Sequence, residues 1–154
     1  MKRSMAWVLT LVLAWLLLAS GLAEGSATEL SGYFGKDIAQ AAGEIGGLNH
    51  SSTDEFSDNY DSDQLALRGN GGKVSFIELK AASQGWSVCG VSVGMARADV
   101  QSLMDGCPML WEYDEELAYV VRVDSADATN SETLVVFFDE KASVNGVWYR
   151  TSGT

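Results

Sequence analysis

Between Gly90 and Pro108 the chain has room for one short helix and little else. Gly94 permits an unusual backbone angle ahead of that helix, Gly106 permits a left-handed residue behind it, and Pro108 lacks the N–H that a continuing helix needs. Between these stops Ala96, Val100, Leu103 and Met104 fall at i, i+4, i+7 and i+8, the spacing that gathers apolar side chains on one helical face. The expectation is an amphipathic helix of about three turns, Gly94 to Gly106. A helix of that length is marginal by itself and has to be held by packing onto a sheet.

Strand signals surround it. Leu117, Tyr119, Val121 and Val123 alternate with Ala118, Val120 and Arg122, the period-2 pattern of a half-buried strand. Thr133–Phe138 and Val144–Arg150 form a hairpin, and upstream Leu65–Leu67, the turn Gly69-Asn70-Gly71-Gly72 and Val74–Leu79 form another. Trp86–Val93 reads as a further strand, with Cys89, Val91 and Val93 on one face. An earlier helix within Phe34–Gly47 carries Ile38, Ala41, Ala42 and Ile45 at i, i+3, i+4 and i+7, and Gly46-Gly47 stops it. The two hairpins align without a gap at an offset of 70, Leu65 on Val135, Leu67 on Phe137, Val74 on Val144, Ile77 on Val147 and Leu79 on Tyr149, and the helices align at 62, Ile38 on Val100. The expected fold is α+β, with two tandem repeats at 32–85 and 86–154. Each is a short helical element followed by antiparallel strands, in a continuous or near-continuous sheet with the helices on one face.

Residues 1–23 have the parts of a secretory signal: Lys2 and Arg3, an apolar run from Met5 to Ala19 interrupted by Thr10, and the small residues Gly21 and Ala23. Cleavage after Ala23 leaves residues 24–31 as a flexible lead and places the protein in a secreted or extracytoplasmic compartment. The alternative is an uncleaved anchor, since the uncharged stretch Ser4–Ala23 is long enough for a helix spanning roughly 30 Å of bilayer. A membrane is then a partner only if this segment is retained.

The net charge of −11 repels phosphate backbones and excludes nucleic acid as a partner class. Cys89 and Cys107 flank the central helix in the exported part, where thiols are commonly oxidised, and a disulfide between them is expected to add about 3 kcal/mol. Asp54, Glu55, Asp58, Asp61 and Asp63 surround Phe56 and Tyr60 without the calcium-loop order of acids, glycine and closing glutamate, so no metal is expected and the stretch reads as a solvated loop or irregular edge strand. His50 is the single histidine, and with Cys89 and Cys107 it has no zinc-ligand spacing and no nucleophile motif beside it. Glu115 and Glu116 are adjacent and on a strand point to opposite faces, which rules the pair out as glycosidase acids. No enzymatic activity and no cofactor are expected.

Gly94-Met95-Ala96-Arg97-Ala98-Asp99-Val100-Gln101-Ser102-Leu103-Met104, then Trp111-Glu112-Tyr113 and a hairpin with Leu134-Val135-Val136-Phe137-Phe138-Asp139 followed by Val144, resembles the helix-then-sheet repeat of the β-lactamase inhibitory protein and the small SmpA/OmlA-type outer-membrane assembly lipoproteins. The resemblance covers about Val91–Tyr149 well and Gly32–Leu79 faintly. Ala96 replaces the Ser or Thr helix cap of that pattern, Asp105 adds a residue before the glycine, and Leu22 stands where a lipoprotein would carry its lipidated cysteine. The resemblance implies a binding or assembly role.

Aromatic residues on or beside the strands are the candidates for such a role: Trp111, Tyr113, Tyr119, Trp148 and Tyr149. The expected function is an exported, non-catalytic module that recognises another protein through an aromatic sheet face, an inhibitor being one such module. The alternative is a structural or assembly component of the bacterial cell envelope held by its uncleaved leader.

Overall fold

Asp37 starts the first helix. Its carboxylate accepts the Gln40 backbone N–H at 2.8 Å, and α1 runs over Ile38–Ile45 until Gly46 turns the chain at φ +75°. The second helix, α2, spans only Arg97–Leu103, about two turns rather than three. Its start is displaced because the preceding residues are bonded elsewhere: Gly94 N–H donates to Val144 O at 2.7 Å and Val144 N–H to Met95 O at 2.9 Å. Ala96 has no side chain to cap α2, and Arg97 N–H instead donates to Ala142 O at 3.0 Å. Val100 and Met104 are buried, whereas Ala96 is exposed and Leu103 is 48% exposed, so the expected four-residue apolar face is two residues wide.

The same three bonds hold α1 to the hairpin after it. Gly35 N–H donates to Val74 O at 2.8 Å, Val74 N–H to Lys36 O at 2.9 Å and Ile38 N–H to Gly72 O at 3.0 Å.

The structure, a computed structural model, describes residues 26–51, 58–123 and 131–151. Among them the strands are β1 Thr28–Glu29, β2 Asn49–His50, β3 Asn59–Asp61, β4 Leu65–Asn70, β5 Lys73–Leu79, β6 Trp86–Ser87, β7 Met109–Tyr113, β8 Glu116–Val123, β9 Ser131–Phe138 and β10 Val144–Thr151. Eight of them form one antiparallel sheet in the order β2-β3-β4-β5-β10-β9-β8-β7, and β1 pairs in parallel with β6. The first hairpin, the last hairpin and the β7–β8 hairpin each carry a bulge or register shift.

Pairing registers sort the side chains into two faces. On one, Leu67, Ile77, Tyr149, Leu134 and Tyr119 form a row across β4, β5, β10, β9 and β8, and Leu65, Leu79, Val147, Val136 and Leu117 form the next. These ten residues are almost inaccessible and join Ile38, Ala41, Ala42, Val100 and Met104 of the helical segments in a single core, so both helices cover the same face.

Several expectations are corrected here. Residues 24–31 do not form a flexible lead throughout: Thr28 N–H donates to Gly85 O and Leu30 N–H to Ser87 O, both at 2.8 Å, and the Leu30 side chain is fully buried. Trp86–Val93 is not one strand. After Ser87 the chain doubles back through reciprocal 2.9 Å bonds between Val88 and Val91, with Cys89 at φ +51°. Cys89 and Cys107 are both free thiols, each packed against the core rather than bridged, and Cys89 lies in this turn rather than on a strand. The gapless offset of 70 also fails. Leu65 faces Leu79 where Leu134 faces Tyr149, so the second strands differ by 70 and the first by 69. Residues 1–23, and Asp54, Glu55 and Phe56, lie outside the described residues.

Candidate functional site

The sheet face turned away from the helices holds three of the expected aromatic residues. Its central row is Ala66, Glu78, Trp148, Val135, Ala118 and Trp111, running from β4 to β7. Beside it lies the row Gly146, Phe137, Glu116 and Tyr113, and on the other side Arg68, Phe76, Arg150, Thr133 and Val120. Val135 and Ala118 are as inaccessible as the core although, among the described residues, both helices lie on the other face. In their row they are flanked by Trp148 on β10 and Trp111 on β7.

That layer is ordered by specific contacts. The Trp148 ring lies 4.7 Å edge-on from Phe137 and 5.8 Å from Phe76, centroid to centroid. Arg68 sits 4.9 Å over Phe76 and 3.8 Å from Glu78. Each tryptophan donates its indole N–H to a glutamate on the next strand: Trp148 Nε1 to Glu78 Oε1 at 3.3 Å, and Trp111 Nε1 to Glu116 Oε1 at 2.7 Å. A charge-assisted bond of this kind fixes ring orientation as well as position. Gly146, having no side chain, leaves a groove of about 290 Å³ beside Trp148, lined also by Glu78, Lys80 and Phe137.

Of the five aromatic residues expected to bind, three are brought to this face. Tyr113 is 65% exposed, and Trp111 and Trp148 are half-buried. Tyr119 and Tyr149 are on the opposite face, 2% and 4% exposed, and are corrected to core residues. Burial pushes both phenols above their ordinary range, and at Tyr149 the hydrogen bond to Glu132 adds to it. Phe76 and Phe137 were not singled out from sequence. The signal available for them was the adjacency of Phe76 to Ile77 and of Phe137 to Phe138, since neighbouring strand residues point to opposite faces.

Arg97 ties α2 to the edge of this face. Its guanidinium donates to Glu112 Oε1 at 3.0 Å, to Tyr113 O at 3.0 Å and to Asp114 O at 2.9 Å, and it lies 5.0 Å over the Phe138 ring. Gln101 adds a bond to the same Glu112 oxygen at 3.2 Å.

The remaining polar groups serve other ends. Glu29 accepts from Ser31 N–H, Cys89 N–H and Gly90 N–H at 2.8–2.9 Å and from Ser87 Oγ at 3.0 Å, clamping the Val88–Val91 turn. Burial raises its carboxyl pKa, but the bonds from Ser31, Gly90 and Cys89 together outweigh this and hold it below the ordinary carboxylate value. Burial, and then the Glu29 charge, push the Cys89 thiol up to about 12. His50, on β2, is exposed and lies 3.4 Å from Asp58. Among the described residues no group of three or more His, Cys, Asp or Glu is placed to hold a metal ion, and no helix is long and apolar enough to cross a membrane.

No family model and no curated protein matches the chain. A crystal structure of an extracellular protein containing a SCP domain from Bacillus anthracis str. Ames is similar, with a TM-score of 0.53 at 12% identity, over 84% of this chain and 47% of that one. This chain thus spans about half the length of that protein. The likeness is one of fold alone.

Proposed function

We propose that the chain is an exported, non-catalytic module that binds another protein through the helix-free face of its sheet. The observation that carries this reading is the aromatic layer of Phe76, Trp148, Phe137, Trp111 and Tyr113, held in orientation by Glu78 and Glu116 and covered by no helix or strand among the described residues. Rigid, partly exposed aromatics are the residues that dominate contact energy at protein interfaces. The net charge of −11 favours a basic partner surface.

The module is proposed to be a duplication. Equivalent bonds lead from Gly35, Lys36 and Ile38 to the first hairpin and from Gly94, Met95 and Arg97 to the last, an offset of 59 between the two helix starts in place of 62.

Capture of partners from the producing cell's surroundings with the wild-type chain and with Tyr113→Ala and Trp148→Ala tests the reading. For an anchor residue the loss is about 2 kcal/mol, roughly a 30-fold rise in Kd. Tyr113→Ala should leave the melting temperature unchanged, since that side chain is 65% exposed. Equal binding by both variants would sink the reading. The envelope-component alternative rests on the uncharged stretch Ser4–Ala23 and predicts the chain in washed membranes rather than in the medium.

A further inference from the structure

The two ends of the eight-stranded sheet differ. At one end β2 is two residues long, polar, and carries His50 against Asp58. At the other end β7 is five residues long, Met-Leu-Trp-Glu-Tyr, and among the described residues it is paired on one side, with β8. Edge strands are normally protected by being short, by lysine or proline within them, or by a covering loop. β7 contains neither lysine nor proline, and Met109, Leu110 and Tyr113 are 45%, 47% and 65% exposed.

Strand addition also needs a rigid edge. The two-residue turn Asp114–Glu115 pairs Tyr113 with Glu116, and by the alternation of an antiparallel ladder the backbone groups of Glu112 then face outward. Arg97 and Gln101 hold the Glu112 side chain from the helix side, and Arg97 also takes the carbonyls of Tyr113 and Asp114, so the strand is braced while no described strand pairs with the outward backbone groups of Glu112. A shift of register beside Leu110 confines the regular part of the edge to its second half.

Charge selects the occupant. Arg97 is ion-paired with Glu112 and Glu116 accepts from Trp111, but Asp114 and Glu115, in the turn at the end of β7, are exposed. A second copy laid antiparallel about Glu112 offers no lysine or arginine between residues 98 and 121 to meet these turn acids, whereas a basic segment does. We infer that β7 accepts a short, extended, basic segment of a partner protein as an added strand, its backbone bonding to the outward groups of Glu112 and its basic side chains meeting Asp114 and Glu115. This deepens the proposed protein-binding role and rests on it. It assigns recognition to the sheet edge in addition to the sheet face.

The probe is a fluorescein-labelled ten-residue peptide of alternating lysine and valine, followed by anisotropy with the full chain. Two further versions carry N-methyl groups on the lysines only or on the valines only. Saturable binding is expected, with one methylated version weakened at least 10-fold and the other little changed, because only alternate N–H groups of an added strand point at the edge. The double variant Asp114→Lys/Glu115→Lys, in the exposed turn, should also weaken binding at least 10-fold with no change in melting temperature. Equal binding by all three peptides, no binding up to millimolar concentration, or a dimer that the double variant alters would each overturn the inference. If binding is insensitive to methylation but is lost in Trp148→Ala, the edge is excluded and the face reading stands.

Discussion

Tyr119 and Tyr149 stand on either side of Leu134 in one cross-strand row, and changing each to phenylalanine removes a single hydroxyl from the same layer of the core. Their surroundings differ in one respect. The Tyr149 hydroxyl donates to Glu132, whose side chain is 16% exposed. The Tyr119 hydroxyl is buried and has no hydrogen-bond partner among the described residues. A hydrogen bond to a charged group contributes about 1.5–3 kcal/mol. Tyr149→Phe is expected to lose about 2 kcal/mol of this, since Arg122, 3.6 Å from Glu132, still compensates part of the carboxylate charge. A buried polar group left unpaired costs about 1–3 kcal/mol, so Tyr119→Phe is expected to gain about 1 kcal/mol. At roughly 4 °C per kcal/mol for a domain of this size, the two variants should melt about 12 °C apart, on opposite sides of the parent. Calorimetry reads the difference directly, and urea unfolding should give unchanged m values. A Tyr119→Phe protein less stable than the parent by 1 kcal/mol or more would refute the reasoning, as would two variants that melt together.

Glu29→Gln should destabilise the fold by about 1–2 kcal/mol at pH 7 through loss of a four-donor carboxylate acceptor. The folded-state pKa of Glu29 lies below its usual 4.5, so its contribution is fully present above that value and is lost as pH falls through the folded pKa; parent and variant stabilities measured by urea unfolding should converge in acid. Thiol titration of protein unfolded without reductant should find both Cys89 and Cys107 free, and in the native state Cys89 should react with iodoacetamide far more slowly at pH 8 than an ordinary thiol, because its pKa is about 12. Blocked thiols in the unfolded protein would restore the disulfide expected from sequence.

Local chemistry was legible in the sequence. The stops at Gly46 and Gly106, the two hairpins and the alternation of Leu117 to Val123 depend on near neighbours, and each corresponds to an element of the structure. The set of side chains sharing one face of a strand is equally local, since it follows from a period of two. Which face looks at the helices is not. Trp111 and Tyr119 are both aromatic and sit on neighbouring strands, yet one is partly exposed on the outer face and the other is core. The difference arises from pairing: Trp111 is opposite Ala118, and Tyr119 shares its row with Leu134. The failed offset has the same origin. Laying Leu65 on Val135 instead of Leu134 is a slip of one residue, and in a strand one residue carries every side chain to the other side of the sheet. The sequence by itself determined the two hairpins, the strand from Leu117 to Val123 and the inventory of aromatics. Only tertiary pairing decided that Tyr119 and Tyr149 would be enclosed beneath the helices while Trp111, Tyr113 and Trp148 face outward, because that choice is made by hydrogen bonds between strands distant in the chain.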